Sequence, residues 1–172
     1  ADTGGGLKIT GALTLLRSNV YNNSLSSTIT LGAGIYTVGG TITDSSIYNN
    51  YVAGAGNTVF GIGIRSQALL TVERSSIYGN NITGNYTGEK KGSAISTPNL
   101  ILLNSTVYNN SGTLDVIGYG NGGKAQSVKI LNSTIYKNSV LSGGYAINDT
   151  INTYIVNLNE YRLYNLVSAG DY

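Results

Sequence analysis

Two acidic residues occupy positions at which they could form a catalytic pair. Asp44 and Glu73 lie on neighbouring copies of a sequence repeat, close to Arg17 and Arg74 and within reach of Arg65. Two carboxylates about 5–9 Å apart would suit glycoside hydrolysis. The arginines would hold the pKa of Asp44 down rather than create a protonated acid. We therefore expect no enzymatic activity, and a polysaccharide lyase or hydrolase is the least favoured alternative.

Other reactive groups are scarce. The chain has no Cys and no His, which removes thiolate ligands, the commonest metal ligand and the commonest general base. The stretch GYGNGGKA (118–125) imitates a phosphate-binding loop through Gly118, Gly123 and Lys124. It has Ala125 where Ser or Thr should bind magnesium, and no helical pattern follows. The sequence thus predicts neither a cofactor nor a metal.

Charge and hydropathy limit the partners. Charged residues make up 10% of the chain and the net charge is +2, so we expect no nucleic-acid partner. No apolar run approaches the ~20 residues that span a bilayer. The chain begins at Ala1 without an initiator Met or a basic-plus-apolar leader. This pattern favours a processed, exported protein at the cell surface or outside the cell.

Sequons for N-glycosylation are frequent. The motif Asn-x-Ser/Thr occurs at Asn22, Asn81, Asn85, Asn104, Asn109, Asn132 and Asn148. These positions predict covalently attached glycans on a secreted protein. The alternative is that NST and NNS recur only because the repeat is rich in Asn and Ser.

One short phrase recurs along the chain and sets its organisation. It reads LNSTVYNN at 103–110 and LNSTIYKN at 131–138, and its tyrosines follow steps of 27, 30, 30, 28 and 28 residues. Each copy follows a short apolar-alternating run, and a Gly-rich element such as GAGIYT or GSAIST lies about 13 residues before the Tyr. Period-two apolar residues bounded by Gly indicate strands. A period of this length predicts an all-β solenoid of about six coils, ~27–30 residues each, forming one domain over 1–172.

These motifs resemble the right-handed parallel β-helix, or pectate-lyase-like, superfamily. The closest resemblance is to the polymorphic outer-membrane-protein and adhesin type of repeat. Its Gly-Gly-Ala-Ile-like element matches GSAI and GGYAI, and its apolar-x-x-Asn element matches Val20 to Asn23 and the equivalent pairs in later copies. The resemblance implies a right-handed parallel β-helix. It does not imply one activity, since the superfamily includes adhesins, tailspikes and polysaccharide-cleaving enzymes.

In a solenoid each alignment column becomes a stripe with a spacing of about 4.8 Å. The Val/Ile column and the serines two residues before it are expected to point inward. Asparagines at the following corner are expected to form an internal amide ladder and to tolerate left-handed backbone: Asn23, Asn50, Asn80, Asn110 and Asn138. Tyrosines are expected to form an outward stripe: Tyr21, Tyr48, Tyr78, Tyr108, Tyr136 and Tyr164.

Charges alternate in the column three residues before Val/Ile. It contains Arg17, Asp44 and Arg74 in successive copies, so Asp44 is expected to pair with an arginine on each side. Such an exposed network contributes little to stability. Its larger effect would be on register, because a slipped stack would juxtapose like charges.

Both ends of the chain enter the repeat with no predicted cap. A solenoid end exposes backbone groups and core unless it is covered. The sequence therefore predicts a structural subunit of an extracellular filament or surface assembly, polymerising head-to-tail with copies of itself. A monomeric adhesin or carbohydrate-binding module, with the tyrosines as its platform, is the alternative.

Overall fold

Short parallel strands build the whole described part of the chain. The structure, a computed structural model, describes residues 2–119, 126–147, 153–156 and 160–163, and these ranges contain strands, turns and no helix. The strands stack into a parallel β-solenoid, as the sequence predicts.

The strand bounds follow in chain order. Over the first half they are β1 (Asp2–Thr3), β2 (Leu7–Leu16), β3 (Asn19–Tyr21), β4 (Ser24–Leu25), β5 (Ile29–Leu31), β6 (Ile35–Thr43), β7 (Ser46–Tyr48), β8 (Tyr51–Val52), β9 (Ala55–Gly56), β10 (Thr58–Phe60), β11 (Ile64–Ser66), β12 (Leu70–Glu73) and β13 (Ser76–Tyr78). The remainder are β14 (Asn81–Ile82), β15 (Asn85–Tyr86), β16 (Lys90–Lys91), β17 (Ile95–Ser96), β18 (Asn99–Leu103), β19 (Thr106–Tyr108), β20 (Thr113–Gly118), β21 (Ser127–Leu131), β22 (Thr134–Asn138), β23 (Val140–Ile147), β24 (Thr153–Val156) and β25 (Glu160–Leu163).

Two large sheets form the main stack. Sheet B is ten-stranded and contains β2, β6, β11, β12, β17, β18, β20, β21, β23 and β24. Sheet C contains β3, β7, β13, β19, β22 and β25. One column of sheet B runs Leu7, Ile35, Ile64, Ile95, Ile117, Ile147 in register. Measured from one member of this column to the next, the described residues outline five coils: coil 1 (7–34), coil 2 (35–63), coil 3 (64–94), coil 4 (95–116) and coil 5 (117–146). Strand β1 precedes coil 1, and β24 and β25 follow coil 5.

Three smaller sheets form a side stack on coils 1 to 3 only. Sheet A contains β1, β5, β10 and β16, sheet D contains β4, β8 and β14, and sheet E contains β9 and β15. In coil 4 the chain passes from Tyr108 to β20 through only four residues, so the side stack ends at coil 3. Coil 4 is therefore shorter than its neighbours.

The core follows from the alternation of inward and outward residues along each strand. Between sheets B and C, inward Ile, Leu and Val residues such as Ile42, Ile77 and Leu102 are fully buried. A second cluster fills the side stack with Val52, Val59, Ile62 and Tyr86. Because the side stack stops at coil 3, this second cluster ends there too.

Candidate functional site: ladders, tyrosine stack and open edge

The asparagine ladder runs inside the corner between sheets C and D. Each Nδ2 donates to the Oδ1 of the Asn in the next coil: Asn23 to Asn50 at 2.9 Å, Asn50 to Asn80 at 3.0 Å, Asn80 to Asn110 at 2.9 Å and Asn110 to Asn138 at 3.0 Å. Every acceptor oxygen also receives a backbone N–H, and from Asn50 onward the second Nδ2 proton reaches a carbonyl of the preceding coil. An interior amide such as Asn80 thus satisfies all four of its hydrogen-bonding positions.

The Gly-rich element packs against this ladder. A Cβ at Gly34 would lie 2.9 Å from Asn50 Nδ2, and one at Gly63 would lie 3.0 Å from Asn80 Nδ2. The two recurrent motifs of the sequence therefore pack against each other, and glycine at these two positions leaves room for the backbone carbonyl of the next coil as well as for the amide; the following copy has Ala94 at this place. Gly6 occupies the same place against Asn23, so the GGGL stretch at 4–7 is a further copy that the repeat alignment missed.

Hydroxyl ladders accompany the amides. The backbone N–H groups of Ser18, Ser45, Ser75 and Ser105 each donate to the Oγ of the serine in the next coil, at 3.0–3.1 Å. Alternation along the strand predicts that these serines point inward, and the hydrogen bonds explain why the residues are serines. A second buried set, Thr37, Ser66 and Thr97, donates to carbonyls two residues later and was not predicted. The sequence pattern that could have predicted this set is the hydroxyl residue that ends each of the stretches GAGIYT, GIGIRS and GSAIST.

The tyrosines form a continuous outer stack on sheet C. The centroids of Tyr21, Tyr48, Tyr78, Tyr108 and Tyr136 are separated by 4.9, 4.8, 4.7 and 5.1 Å, with interplanar angles of 2–16°. Ring faces meet ring faces, so mainly edges and hydroxyls are left for solvent. Burial, followed by the charge of neighbouring tyrosines, raises the pKa of Tyr78 and Tyr108.

The sixth copy of the repeat has a different register from the one expected. The sequence alignment placed Tyr164 opposite Tyr136, but β25 pairs Arg162 with Tyr136 and Leu163 with Asn138. Tyr164 lies outside the described residues. At Tyr136 the alignment was wrong by two positions, because it matched tyrosine to tyrosine, whereas the strands pair Tyr136 with Arg162.

Left-handed backbone occurs beside the asparagine ladder rather than on it. The positive φ angles fall one residue earlier, at Asn22, Asn49, Gly79, Asn109 and Lys137. A second left-handed column is the one that carries charge, with φ of 46–50° at Arg17, Asp44, Arg74, Asn104 and Asn132. The expectation that the ladder asparagines adopt this conformation was therefore wrong, and the ladder owes its asparagines to hydrogen bonding alone.

The charge column contains one close ion pair instead of two. Arg74 Nε and Nη2 donate to Asp44 Oδ1 and Oδ2 at 2.8 and 3.1 Å, and Arg74 also pairs with Glu73. Arg17 makes no ion pair with Asp44 in the described part of the chain. The bond from Arg74 is the main cause that lowers the pKa of Asp44, and the charge of Arg17 adds to it. Arg74 thus binds both carboxylates, and its bond to Asp44 works against a protonated carboxyl group at Asp44.

Arg65 does not join this group. It is only 4% exposed, and its guanidinium lies 4.7 Å from the centroid of the Tyr119 ring and 5.4 Å from that of Phe60. Nη1 donates to Ser96 Oγ at 2.7 Å, and burial lowers the pKa of the guanidinium. The catalytic cluster considered from the sequence therefore does not assemble around Asp44, Glu73 and Arg65.

The sequons lie mostly on the surface. Asn22, Asn85, Asn104, Asn109 and Asn132 are exposed, Asn81 is half-buried, and Asn148 lies outside the described residues. Four of the exposed five occupy the left-handed columns described above: Asn22, Asn104, Asn109 and Asn132. Asn85 is the exception, since it lies on strand β15 of the side stack.

Coil 1 has one strand edge that pairs with no other described strand. Its strands β2, β3 and β4 pair only with strands of coil 2, and β1, which precedes coil 1, pairs only with β5. Leu16 is 48% exposed and Tyr21 49% exposed on this side of the molecule. A recess of about 200 Å³ opens there between Gly6, Leu7, Asn19 and Asn23. In inner coils the preceding coil covers the equivalent positions.

The class of protein follows from this geometry: the chain is a parallel β-solenoid. Comparisons with protein-family models, with curated proteins and with solved structures found no match. The described residues include no helix that is long and apolar enough to cross a membrane. In the same ranges, no three or more His, Cys, Asp or Glu side chains are grouped so that they could hold a metal ion.

Proposed function

We propose that this chain is a structural subunit of an extracellular filament or surface assembly, polymerising head-to-tail with copies of itself and carrying N-linked glycans. The observation that carries the proposal is the open edge of coil 1. A parallel strand edge with exposed apolar side chains is a template for another strand. End-to-end contacts between unlike faces of identical subunits propagate into filaments.

The partner that fits this edge is a parallel coil. Within the molecule, Val20 is covered by Ile47 and Tyr21 by Tyr48 from the next coil, in register. A neighbouring subunit would supply the equivalent cover on the opposite side and close the recess beside Asn23. We place the protein, by its motifs, with the right-handed parallel β-helices of the adhesin type, in the subgroup that assembles.

The geometry supports the other two functions less well. A sugar platform needs open aromatic faces, and in the tyrosine stack most faces are already covered by other tyrosines. Glycoside cleavage by general acid catalysis needs a carboxyl group protonated near neutral pH, and the bond from Arg74 has the opposite effect on Asp44.

A matched pair of leucines tests the assembly. Leu16 on coil 1 and Leu69 on coil 3 are both 48% exposed, so Leu→Lys changes the same exposed area and charge at an end and in the middle. Lysine on a strand edge discourages strand addition. We expect the wild-type protein and Leu69→Lys to form filaments by negative-stain microscopy and light scattering, and Leu16→Lys to remain short or monomeric. Discrete wild-type monomers, or equal loss in both variants, would contradict end-on assembly.

A further inference from the structure

A pocket lies where the side stack ends. It has a volume of about 450 Å³ and opens beneath coil 3, beside coils 4 and 5. Ile82, Tyr86 and Leu141 supply its apolar surface, and Asn85, Thr87 and Lys90 supply its polar surface. Its volume falls within the range of pockets that hold small ligands.

Asn85 and Thr87 are the two recognition residues of one sequon. They flank Tyr86, which is 5% exposed and whose hydroxyl oxygen lies 2.9 Å from the Ala53 carbonyl and 3.1 Å from the Ser27 carbonyl, so that its one proton is donated between them. Because side chains alternate along a strand, the inward Tyr86 leaves Asn85 and Thr87 together on the opposite, exposed side. The Asn85 backbone N–H donates to Gly54 at 2.7 Å, which fixes the strand, while its exposed side chain makes no hydrogen bond within the described ranges.

We infer that Asn85 carries an N-linked glycan whose first sugar occupies this pocket. The inference rests on the proposed glycosylated assembly and identifies the sequon at which a sugar has a preformed site. A pyranose ring has an apolar C–H face that suits Ile82 and Leu141 and hydroxyls that suit Thr87. Leu141 is otherwise 39% exposed.

The glycan also has a structural task at this place. Strands β14 and β15 are the last strands of sheets D and E, so one edge of each has no partner strand in the described chain. The Lys90 ammonium already covers one edge carbonyl, that of Tyr86. A sugar in the pocket blocks the addition of another strand where the side stack ends on coil 3. Assembly then takes place at the edge of coil 1.

Glycopeptide mass spectrometry of the protein from its native source, with variants made in the same host, tests the inference. Thr87→Val removes the sequon and keeps Asn85, and Asn104→Gln removes an exposed sequon that does not line this pocket. We expect a glycan on Asn85 in wild type and Asn104→Gln but not in Thr87→Val. Enzymatic deglycosylation should lower the Tm of the wild-type protein and of Asn104→Gln by about 2–4 °C. Leu141→Ser should reduce this loss of Tm on deglycosylation, because it removes part of the apolar lining of the pocket.

The outcomes separate this inference from the proposed function. Glycans on other sequons with Asn85 unmodified would overturn the inference and leave a glycosylated assembly. A glycan on Asn85 whose removal leaves Tm unchanged would overturn its seating in the pocket. No modified sequon at all would overturn both glycan proposals, while filament formation is judged separately by microscopy.

Discussion

The asparagine ladder and the charge column run through the same five coils and differ in how strictly they repeat. The ladder keeps Asn in every coil, and its members from Asn50 to Asn138 are fully buried. The charge column changes from Arg17 to Asp44, Arg74, Asn104 and Asn132 and remains exposed. What the charge column conserves is a left-handed φ, which Asn and Asp tolerate better than most residues. The residue type repeats strictly where each side chain must supply hydrogen bonds to buried groups of the neighbouring coils. It varies where water can supply those hydrogen bonds.

The largest expected effect is at the centre of the ladder. Asn80→Ala removes the acceptor of the Asn50 N–H and Nδ2 and the donor to Asn110 Oδ1 and the Ile47 carbonyl. Leaving a buried polar group unsatisfied costs about 1–3 kcal/mol. We expect the free energy of unfolding in urea to fall by at least about 4 kcal/mol, which risks the fold itself.

Asn23→Ala is the variant that keeps this test informative if Asn80→Ala does not fold. Asn23 is half-buried, and its Nδ2 makes one bond, to an oxygen that retains a second donor. We expect a loss of about 0.5–1.5 kcal/mol. Equal losses at Asn23 and Asn80 would show that burial does not set the strictness of the column.

The tyrosine stack lies between the two extremes. Tyr78 contacts rings on both sides, at 4.8 and 4.7 Å, and each such contact is worth about 0.5–1.5 kcal/mol beyond area burial. We expect Tyr78→Ser to lower the free energy of unfolding by about 1–3 kcal/mol. Tyr78→Phe keeps the ring and should lose little, so a large loss in Tyr78→Phe would mean that the hydroxyl, not stacking, stabilises the column.

The columns could be predicted from the sequence because stacking makes alignment and space equivalent. Asn80, Tyr78 and Ile77 recur at nearly constant steps, and one repeat unit contains the whole pattern of inward and outward residues. The proposed assembly face, Leu16 and Tyr21, follows from the same alignment once the first copy is identified.

The side stack and its pocket could not be predicted from the sequence. The spacing of the tyrosines gives the number of residues in each repeat, but it does not say which sheet those residues join. Tyr78 to Tyr108 and Tyr108 to Tyr136 differ by only two residues in length. The first interval contains strands β14 to β16 of the side stack, whereas the second reaches strand β20 of sheet B after the four residues that follow Tyr108. No residue type distinguishes the interval that forms the side stack from the one that does not. The pocket beside Asn85 is therefore visible only in the structure.

The smallest expected effect concerns the ion pair of the charge column. Asp44→Asn loses the bidentate bond from Arg74, but Asn suits the φ of 50° at this position, so the two effects oppose each other. Both side chains are more than a third exposed, which limits the pair further. We expect a change in Tm of about 1–2 °C, measured by circular dichroism at pH 7.

The lowered pKa of Asp44 determines how the stabilisation by this ion pair changes with pH. The pKa of Asp44 is lowered in the folded protein from its ordinary value of 3.8, so the carboxylate stabilises the fold above that value. Its contribution is lost as pH falls through the lower folded pKa. A cycle with Asp44→Asn, Arg74→Asn and the double variant should therefore show coupling at pH 7, little at pH 2, and little in 1 M NaCl at pH 7. Coupling that persists in high salt would mean that the pair is shielded from solvent like the ladder, which would remove the distinction between strict and loose columns.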